Sequence, residues 1–311
     1  MRFKDSLLGF AIGDAIGVPV EFQGRETLKN NPILDMEEYG THYQPIGTWS
    51  DDTSMTIATI DSIITKNNID YNDIMNNFNL WVREAKYTAT DKCFDVGDTC
   101  RCAIYSFNGN NALECGRNEI MANGNGSLMR ILPIVYYCYH CKLSDVEIYD
   151  IIKKISSLTH SHEISVLGCY IYTMYIINLL NNYDKVESYK RLSKVDYSMF
   201  SDESLNVYNR ILEKRIYKYR LKEIKSSGYV VDTLEAVLWS IINTKTYKDS
   251  ILTAVNMGDD TDTVGAITGS IAGIIYGIDN IPSNWKDNLK KKDYLIELAD
   301  NYEKFLKMNE R

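Results

Sequence analysis

The sequence predicts an all-α fold, and three observations carry that expectation. Apolar residues recur with a helical period along nearly the whole chain. Only five prolines interrupt 311 residues. No segment sustains the strict alternation expected of a half-buried strand. With 45% hydrophobic and 24% charged residues, the composition is that of an ordinary globular protein with a sizeable core. Residues 1–311 are expected to form one compact, many-helix domain, because no repeat and no low-complexity linker divides them.

The elements follow in chain order. A first helix in "SLLGFAIGDAIG" should end at Pro19 and leave Glu21 in the loop beyond. Its Gly9, Gly13 and Gly17 fall at i, i+4 and i+8. Each glycine costs a helix roughly 0.5–1 kcal/mol relative to alanine, so a strip of them implies the close approach of another backbone. "GTWSDDTSMTIATIDSII" sets Ser50, Asp51, Asp52 and Thr53 just ahead of an amphipathic helix. "CFDVGDT" offers Asp95 and Asp98 before another helical stretch. "NGNGSLMRILPI" is a glycine-rich polar loop running into an apolar segment. "SDVEIYDIIKKISSLTH" opens with Ser144 and Glu147 as a capping box, and Ile148, Ile151, Ile152 and Ile155 share one face. His160 stands at its far end, where a histidine is more often a helix cap than a catalyst.

"VLGCYIYTMYIINLL" is too short to span a bilayer and reads as a buried helix. Residues 181–227 are the most polar stretch and read as a variable surface segment, an insertion or a set of surface helices. Within them "KRIYKYRLKEIK" reads as one solvated, basic helix face. "VDTLEAVLWSIIN" repeats the capped amphipathic scheme with Asp232 and Glu235 at its start. "MGDDTDTVGAITGSIAGIIYG" leads from Asp260, Asp262 and Thr263 into a second glycine helix, with Gly265, Gly269, Gly273 and Gly277 spaced by four. "YLIELADNYEKFLKM" forms the last helix.

A net charge of −8 argues against nucleic acid as a general partner. The first residues lack the apolar length and cleavage site of a signal peptide, and no membrane association is expected. Seven cysteines make an odd set that fits a reducing cytoplasm better than a disulfide framework. Cys138 and Cys141 have no second pair at zinc-ribbon spacing. The charge pattern suits a monomer.

The acidic clusters need a partner. Capping explains one aspartate at each helix start, not two or three. Extra carboxylates packed against a core suffer desolvation and mutual repulsion, and neither stretch contains a lysine or arginine to neutralise them. Oxygen donors without histidine or cysteine suit a hard divalent cation. If the clusters meet, Asp51, Asp52, Asp260 and Asp262 balance two such ions, with Ser50, Thr53 and Thr263 as neutral donors. The amides around Asn123 to Ser127 are placed to hold an anion such as a phosphate, a plain turn being the alternative.

Together these segments resemble the ADP-ribosylglycohydrolase family, which includes the dinitrogenase reductase-activating glycohydrolases. "GFAIGDAIGVPVEF", "GTWSDDTSM", "FDVGDT", "NGNGSLMRILPI", "LTHSH", "SGYVVDTLEAVLW" and "MGDDTDTVGAITGSIAG" occur in family order. The resemblance implies an all-α fold around a binuclear Mg²⁺ or Mn²⁺ centre. It implies cleavage of the bond between ADP-ribose and an acceptor, arginine on a protein above all, or a small-molecule ADP-ribose conjugate. The metal ligands would be Ser50, Asp51, Asp52, Asp260, Asp262 and Thr263. Asn123, Gly124, Asn125, Gly126, Ser127, Leu128 and Met129 would hold the diphosphate and ribose, with His160 beside the nucleotide and Tyr229 on the adenine. Asp98 stands where asparagine is common in the family. The assisting carboxylate would be Asp95, with Glu21 as the second choice. An inactive ADP-ribose-binding protein and a phosphohydrolase acting on the diphosphate are the competing expectations.

Overall fold

The computed structural model describes residues 2–213 and 215–310. Among them the chain forms sixteen α-helices joined by loops and 3-10 turns, with isolated bridges in place of strands. The first half contains α1 (Phe3–Gly17), α2 (Arg25–Asn30), α3 (Asp51–Lys66), α4 (Tyr71–Glu84), α5 (Asp98–Ser106), α6 (Leu132–His140) and α7 (Asp145–Ser156). Then come α8 (Glu163–Leu180), α9 (Lys185–Arg191), α10 (Asp202–Val207), α11 (Asn209–Leu212) and α12 (Val230–Asn243). The chain finishes with α13 (Tyr247–Val255), α14 (Thr261–Tyr276), α15 (Ser283–Asn288) and α16 (Lys292–Met308).

At the centre lie α1 and α14, packed along their whole length. The glycine strips make this possible. A Cβ on Gly13 would stand 2.1 Å from the Gly265 carbonyl oxygen, and one on Gly269 would stand 2.1 Å from that of Gly9. Gly17 meets the Asp262 backbone in the same way, with 2.3 Å from the would-be Cβ to Cα. Backbone therefore touches backbone, and the start of α14 is pinned to the end of α1. Thr261 Oγ1 closes the junction by donating to the Gly17 carbonyl at 2.7 Å. Gly277 does not continue the strip: it terminates α14 with φ +76° in open space. Around this pair pack α12, α13 and α3, while α16 bridges α1 and α3.

The capping box at Ser144 and Glu147 forms as expected, and Ile148, Ile152 and Ile155 are buried while Ile151 is half-buried. The start of α12 differs. Tyr229 precedes it without a side-chain cap, and Asp232 instead accepts a hydrogen bond from Ser227 Oγ at 2.7 Å.

Three other expectations need correction. Helix α8 is longer than the apolar run suggested and, by length and composition, could cross a membrane. However, 78% of it is buried inside the fold, so its apolar side chains face protein. The basic tyrosine-rich stretch is not a helix face. Lys214 lies outside the described residues, and beyond it Ile216–Lys218 and Leu221–Glu223 form separate 3-10 turns. Ile216 and Ile224 anchor those turns in the core, which sets their spacing. Nor are residues 181–227 merely superficial, since Tyr189, Leu192, Tyr208 and Ile211 are fully buried. The segment also ends at the site described next, where the Ser226 carbonyl accepts from the Asp260 N–H at 3.0 Å.

Candidate active site

The site forms where the N-termini of α3 and α14 meet the C-terminal part of α1. Ser50 caps α3 and its hydroxyl accepts from the Asp52 N–H at 3.4 Å. Asp14, on α1, adds a second cap from outside. Its buried carboxylate accepts from the Ser50 N–H at 2.9 Å, the Thr53 N–H at 3.1 Å and Thr53 Oγ1 at 2.6 Å. Thr53 is therefore engaged with Asp14 rather than offered to an ion. Burial pushes Asp14 up to about 7, against the pull of these hydrogen bonds. Sequence reasoning missed Asp14. The available signal was an ionisable residue inside an otherwise apolar glycine helix.

With α3 so fixed, the two acidic clusters share one space. Asp52 Oδ2 accepts from Ser50 Oγ and from Thr263 Oγ1, each at 3.3 Å. Asp260 Oδ2 accepts from Asn125 Nδ2 at 2.9 Å, and Asp262 Oδ1 from the Thr263 N–H at 2.9 Å. Carboxylate oxygens of Asp51, Asp95 and Asp262 lie within 4.8 Å of one another, as do those of Glu21, Asp260 and Asp262. Burial is the first cause that lifts Asp51, Asp52 and Asp262 well above the usual carboxylate range, and like charge is the second.

Three buried oxygens, Asp52 Oδ1, Asp260 Oδ1 and Asp262 Oδ2, have no hydrogen-bond partner among the described residues. A folded protein seldom leaves such atoms unsatisfied. The donor set is all oxygen, anionic and convergent, so these residues fit a hard divalent cation. The acidic clusters are thus a place that could hold metal.

A cavity of about 250 Å³ opens over the carboxylates. Gly124, Asn125, Gly126 and Met129 line it from the glycine-rich loop, together with Glu21 and Asp95. The side chains of Asn123, Ser127 and Leu128 turn inward. Asn123 donates to the Ile120 carbonyl at 3.0 Å and accepts from Ser165 Oγ at 2.8 Å. Ser127 Oγ accepts from Ser156 Oγ at 2.9 Å, and Leu128 is buried in the core. Two loop amides are also used internally, Asn125 N–H to the Gly228 carbonyl and Met129 N–H to that of Asn125, both at 3.0 Å. Side chains at 123, 127 and 128 thus hold the loop, and its glycines face the cavity. A Cβ on Gly126 would stand 2.8 Å from His160 Cε1.

His160 is not a helix cap. It lies beyond α7, bridges to Arg117 through its backbone and lines the cavity. Its Nδ1 contacts Thr159 Oγ1 at 2.8 Å. Burial, then the nearby Arg130 guanidinium, lowers its pKa to about 3, so the ring is neutral. Arg130 is itself buried and donates to Thr159 Oγ1 at 2.8 Å, tying the loop to this histidine. Tyr229 bridges to Gly124 by backbone, but its ring lines a neighbouring hollow with Arg210, Lys225 and Glu235. Asp98 sits at the cavity rim, exposed and paired with Arg101.

The two carboxylates expected as alternative assistants stand together. Glu21, Asp95 and His42 bring their polar atoms within 4.8 Å of one another. Burial, then the charge of Asp95, pushes Glu21 up to about 11. Asp95 and Phe22 both adopt left-handed backbone, with φ +52° and +65°. The Phe22 N–H donates to the Asp259 carbonyl at 2.7 Å, which ties the Glu21 loop to the Asp260 loop. His42, which bonds Glu21 directly, was also missed, because a single histidine in "GTHYQ" carries no spacing signal.

A family model described as ADP-ribosylglycohydrolase matches residues 1–310. The ADP-ribosylarginine hydrolase Tri1 of Serratia proteamaculans is 34% identical over 302 residues, covering 96% of this chain and 78% of the relative. The ADP-ribosyl-[dinitrogen reductase] glycohydrolase of Rhodospirillum rubrum is 28% identical, covering 94% and 91%. A solved structure titled ADP-ribosylglycohydrolase-related protein complex superposes with a TM-score of 0.82 at 26% identity, covering 98% of each chain.

Proposed function

The chain belongs to the ADP-ribosylglycohydrolase family, enzymes that hydrolyse glycosyl bonds, and from that premise we propose that it removes ADP-ribose from modified arginine on a protein. The single observation that carries this reading is the buried meeting of acids from both ends of the chain, with three oxygens left unpartnered. The arginine acceptor is supported by relatives named ADP-ribosylarginine hydrolase at about one-third identity. We further propose a cytoplasmic location, in line with seven free cysteines, and a monomer, in line with the charge pattern.

In this reading Ser50, Asp51, Asp52, Asp260, Asp262 and Thr263 hold two divalent cations, Mg²⁺ or Mn²⁺. When bound, such ions supply Lewis acidity toward the ribose hydroxyls and a bound water of lowered pKa. Every other task falls to the chain. Asp14 locks α3 so that Asp51 and Asp52 cannot retreat. Asn125 orients Asp260. The Gly124–Gly126 backbone lets the diphosphate and ribose come close. Neutral His160 offers one ring nitrogen to the nucleotide without adding charge. Glu21 holds a proton that can pass to the departing guanidino nitrogen. Asp95 accepts a hydrogen bond from that group and stabilises oxocarbenium character at the anomeric carbon. Water then adds to that carbon and returns a proton to the acid pair.

The test is direct. Incubation with ADP-ribosylated arginine and Mg²⁺ or Mn²⁺ should release free ADP-ribose and unmodified arginine. No release across arginine, serine and other linkages would refute the reading. Tight ADP-ribose binding without turnover would favour a binding protein, and AMP with ribose phosphate a phosphohydrolase.

A further inference from the structure

The turn from Tyr39 to Gln44 is built around Glu21. Thr41 Oγ1 donates to the Glu21 carbonyl at 2.7 Å. His42 Nε2 bonds Glu21 Oε2. The His42 ring sits between the rings of Phe22 and Phe94, with centroids 5.9 and 5.3 Å away. Phe22 follows Glu21 in the chain and Phe94 precedes Asp95. One imidazole therefore touches Glu21 and the neighbours of both acids, although the acids come from loops far apart in sequence.

The turn holds an unfavourable shape to do this. Tyr39, Gly40 and Tyr43 have φ of +65°, +51° and +56°. Non-glycine residues held in sparsely populated backbone regions are strained and persist where surrounding contacts enforce them. Gly40 passes so close to α1's exit that a Cβ would stand 1.8 Å from the Pro19 carbonyl oxygen. Gln44 closes the turn, its Nε2 donating to the His42 carbonyl at 3.1 Å and its own carbonyl accepting from the Tyr39 N–H at 2.6 Å.

We propose that His42 is the positioning residue of the Glu21–Asp95 pair: its imidazole fixes the Glu21 carboxyl beside Asp95. The inference rests on the reading of these acids as the assisting groups of a glycosyl hydrolase. Glu21 has a long, rotatable side chain, and holding it in one rotamer beforehand removes an ordering cost from the reaction. Misplacing a reacting group by about an ångström can cost on the order of 100-fold in rate.

The experiment uses the full chain with Mn²⁺ and ADP-ribosylarginine, and compares His42→Ala, His42→Gln, Glu21→Gln and the double variant Glu21→Gln/His42→Ala. His42→Ala should lower kcat by about 10–100-fold with KM unchanged. His42→Gln places an amide nitrogen where Nε2 stood and should recover most of that loss. The double variant should be no slower than Glu21→Gln alone, because His42 acts through Glu21. Wild-type kcat in His42→Ala, or losses that multiply in the double variant, would overturn the proposal. A readout free of turnover accompanies these rates: the His42 Nε2 resonance in ¹⁵N spectra should move on Glu21→Gln substitution without substrate. An unmoved resonance overturns the positioning role even in an active enzyme. A moved resonance in a protein that releases no ADP-ribose supports the contact and overturns the function proposed above.

Discussion

Gly17 and Asp262 touch through their backbones, with only 2.3 Å separating the Asp262 Cα from the place a Gly17 Cβ would occupy. The glycine strip that joins α1 to α14 thus ends on a proposed metal ligand, so helix packing and site geometry are set by one contact.

Substitution at this contact separates the two effects. Gly17→Ala should destabilise the fold by about 1–3 kcal/mol, as overpacking does, and should also blunt the rise in melting temperature on adding Mn²⁺. Gly13→Ala meets the Gly265 carbonyl instead. It should cost similar stability and leave the metal-induced shift intact. Thermal melts with and without Mn²⁺ read both.

The metal-free protein should be more stable in mild acid than at neutrality. Asp14 is pushed up to about 7, and Asp51, Asp52 and Asp262 stand well above their usual value. Between about pH 4 and the raised folded values, the native state binds protons that the unfolded chain has released. Stability from these groups is therefore present below about pH 4 and lost as pH rises through the folded pKa. His160, lowered to about 3, works the other way below about pH 6.5 but is outnumbered. Melts in chelator from pH 4 to 8 should fall with pH, and divalent cations should remove the fall. A flat chelated profile would contradict the acid cage.

Asp262→Asn removes one charge from that cage. Metal affinity should drop by about 100-fold or more and turnover should vanish, while far-UV circular dichroism stays that of the parent. The metal-free variant should melt above the metal-free parent, because less like charge is buried. Full metal-dependent rate in Asp262→Asn would refute the ligand assignment.

Asp95→Asn and Glu21→Gln should each lower kcat by about 10²–10⁴-fold, the usual range for a lost general acid or base. ADP-ribose affinity measured by calorimetry should change little. If only one variant is impaired, the pair does not act as a unit.

His160→Ala should raise KM about tenfold, the equivalent of one hydrogen bond to the nucleotide. The shape of the pH–rate profile between pH 5 and 8 should be unchanged, since the ring is neutral throughout that interval. An inflection that disappears with His160 would show that the imidazole titrates during turnover.

Local rules made much of this molecule readable in advance. The capping box at Ser144, the glycine strips at Gly9–Gly17 and Gly265–Gly273 and the two acidic helix starts are set by neighbours within a turn or two, and each occurs where its spacing indicated. What could not be read depends on tertiary direction. Ser127 and Asn123 turn inward because Ser156 and Ser165 wait for them on α7 and α8. Asp14 and His42 find their roles only when α3 and the Glu21 loop arrive. Basic residues from Arg215 to Lys225 imitate a helical pattern, yet Ile216 and Ile224 bury themselves through turns.

Thr263 donates to Asp52 across 211 positions of the chain. During synthesis the early acids therefore wait, unmatched, until the segment carrying Thr263 has left the ribosome. A product terminated before Asp260 lacks half of the acidic cage.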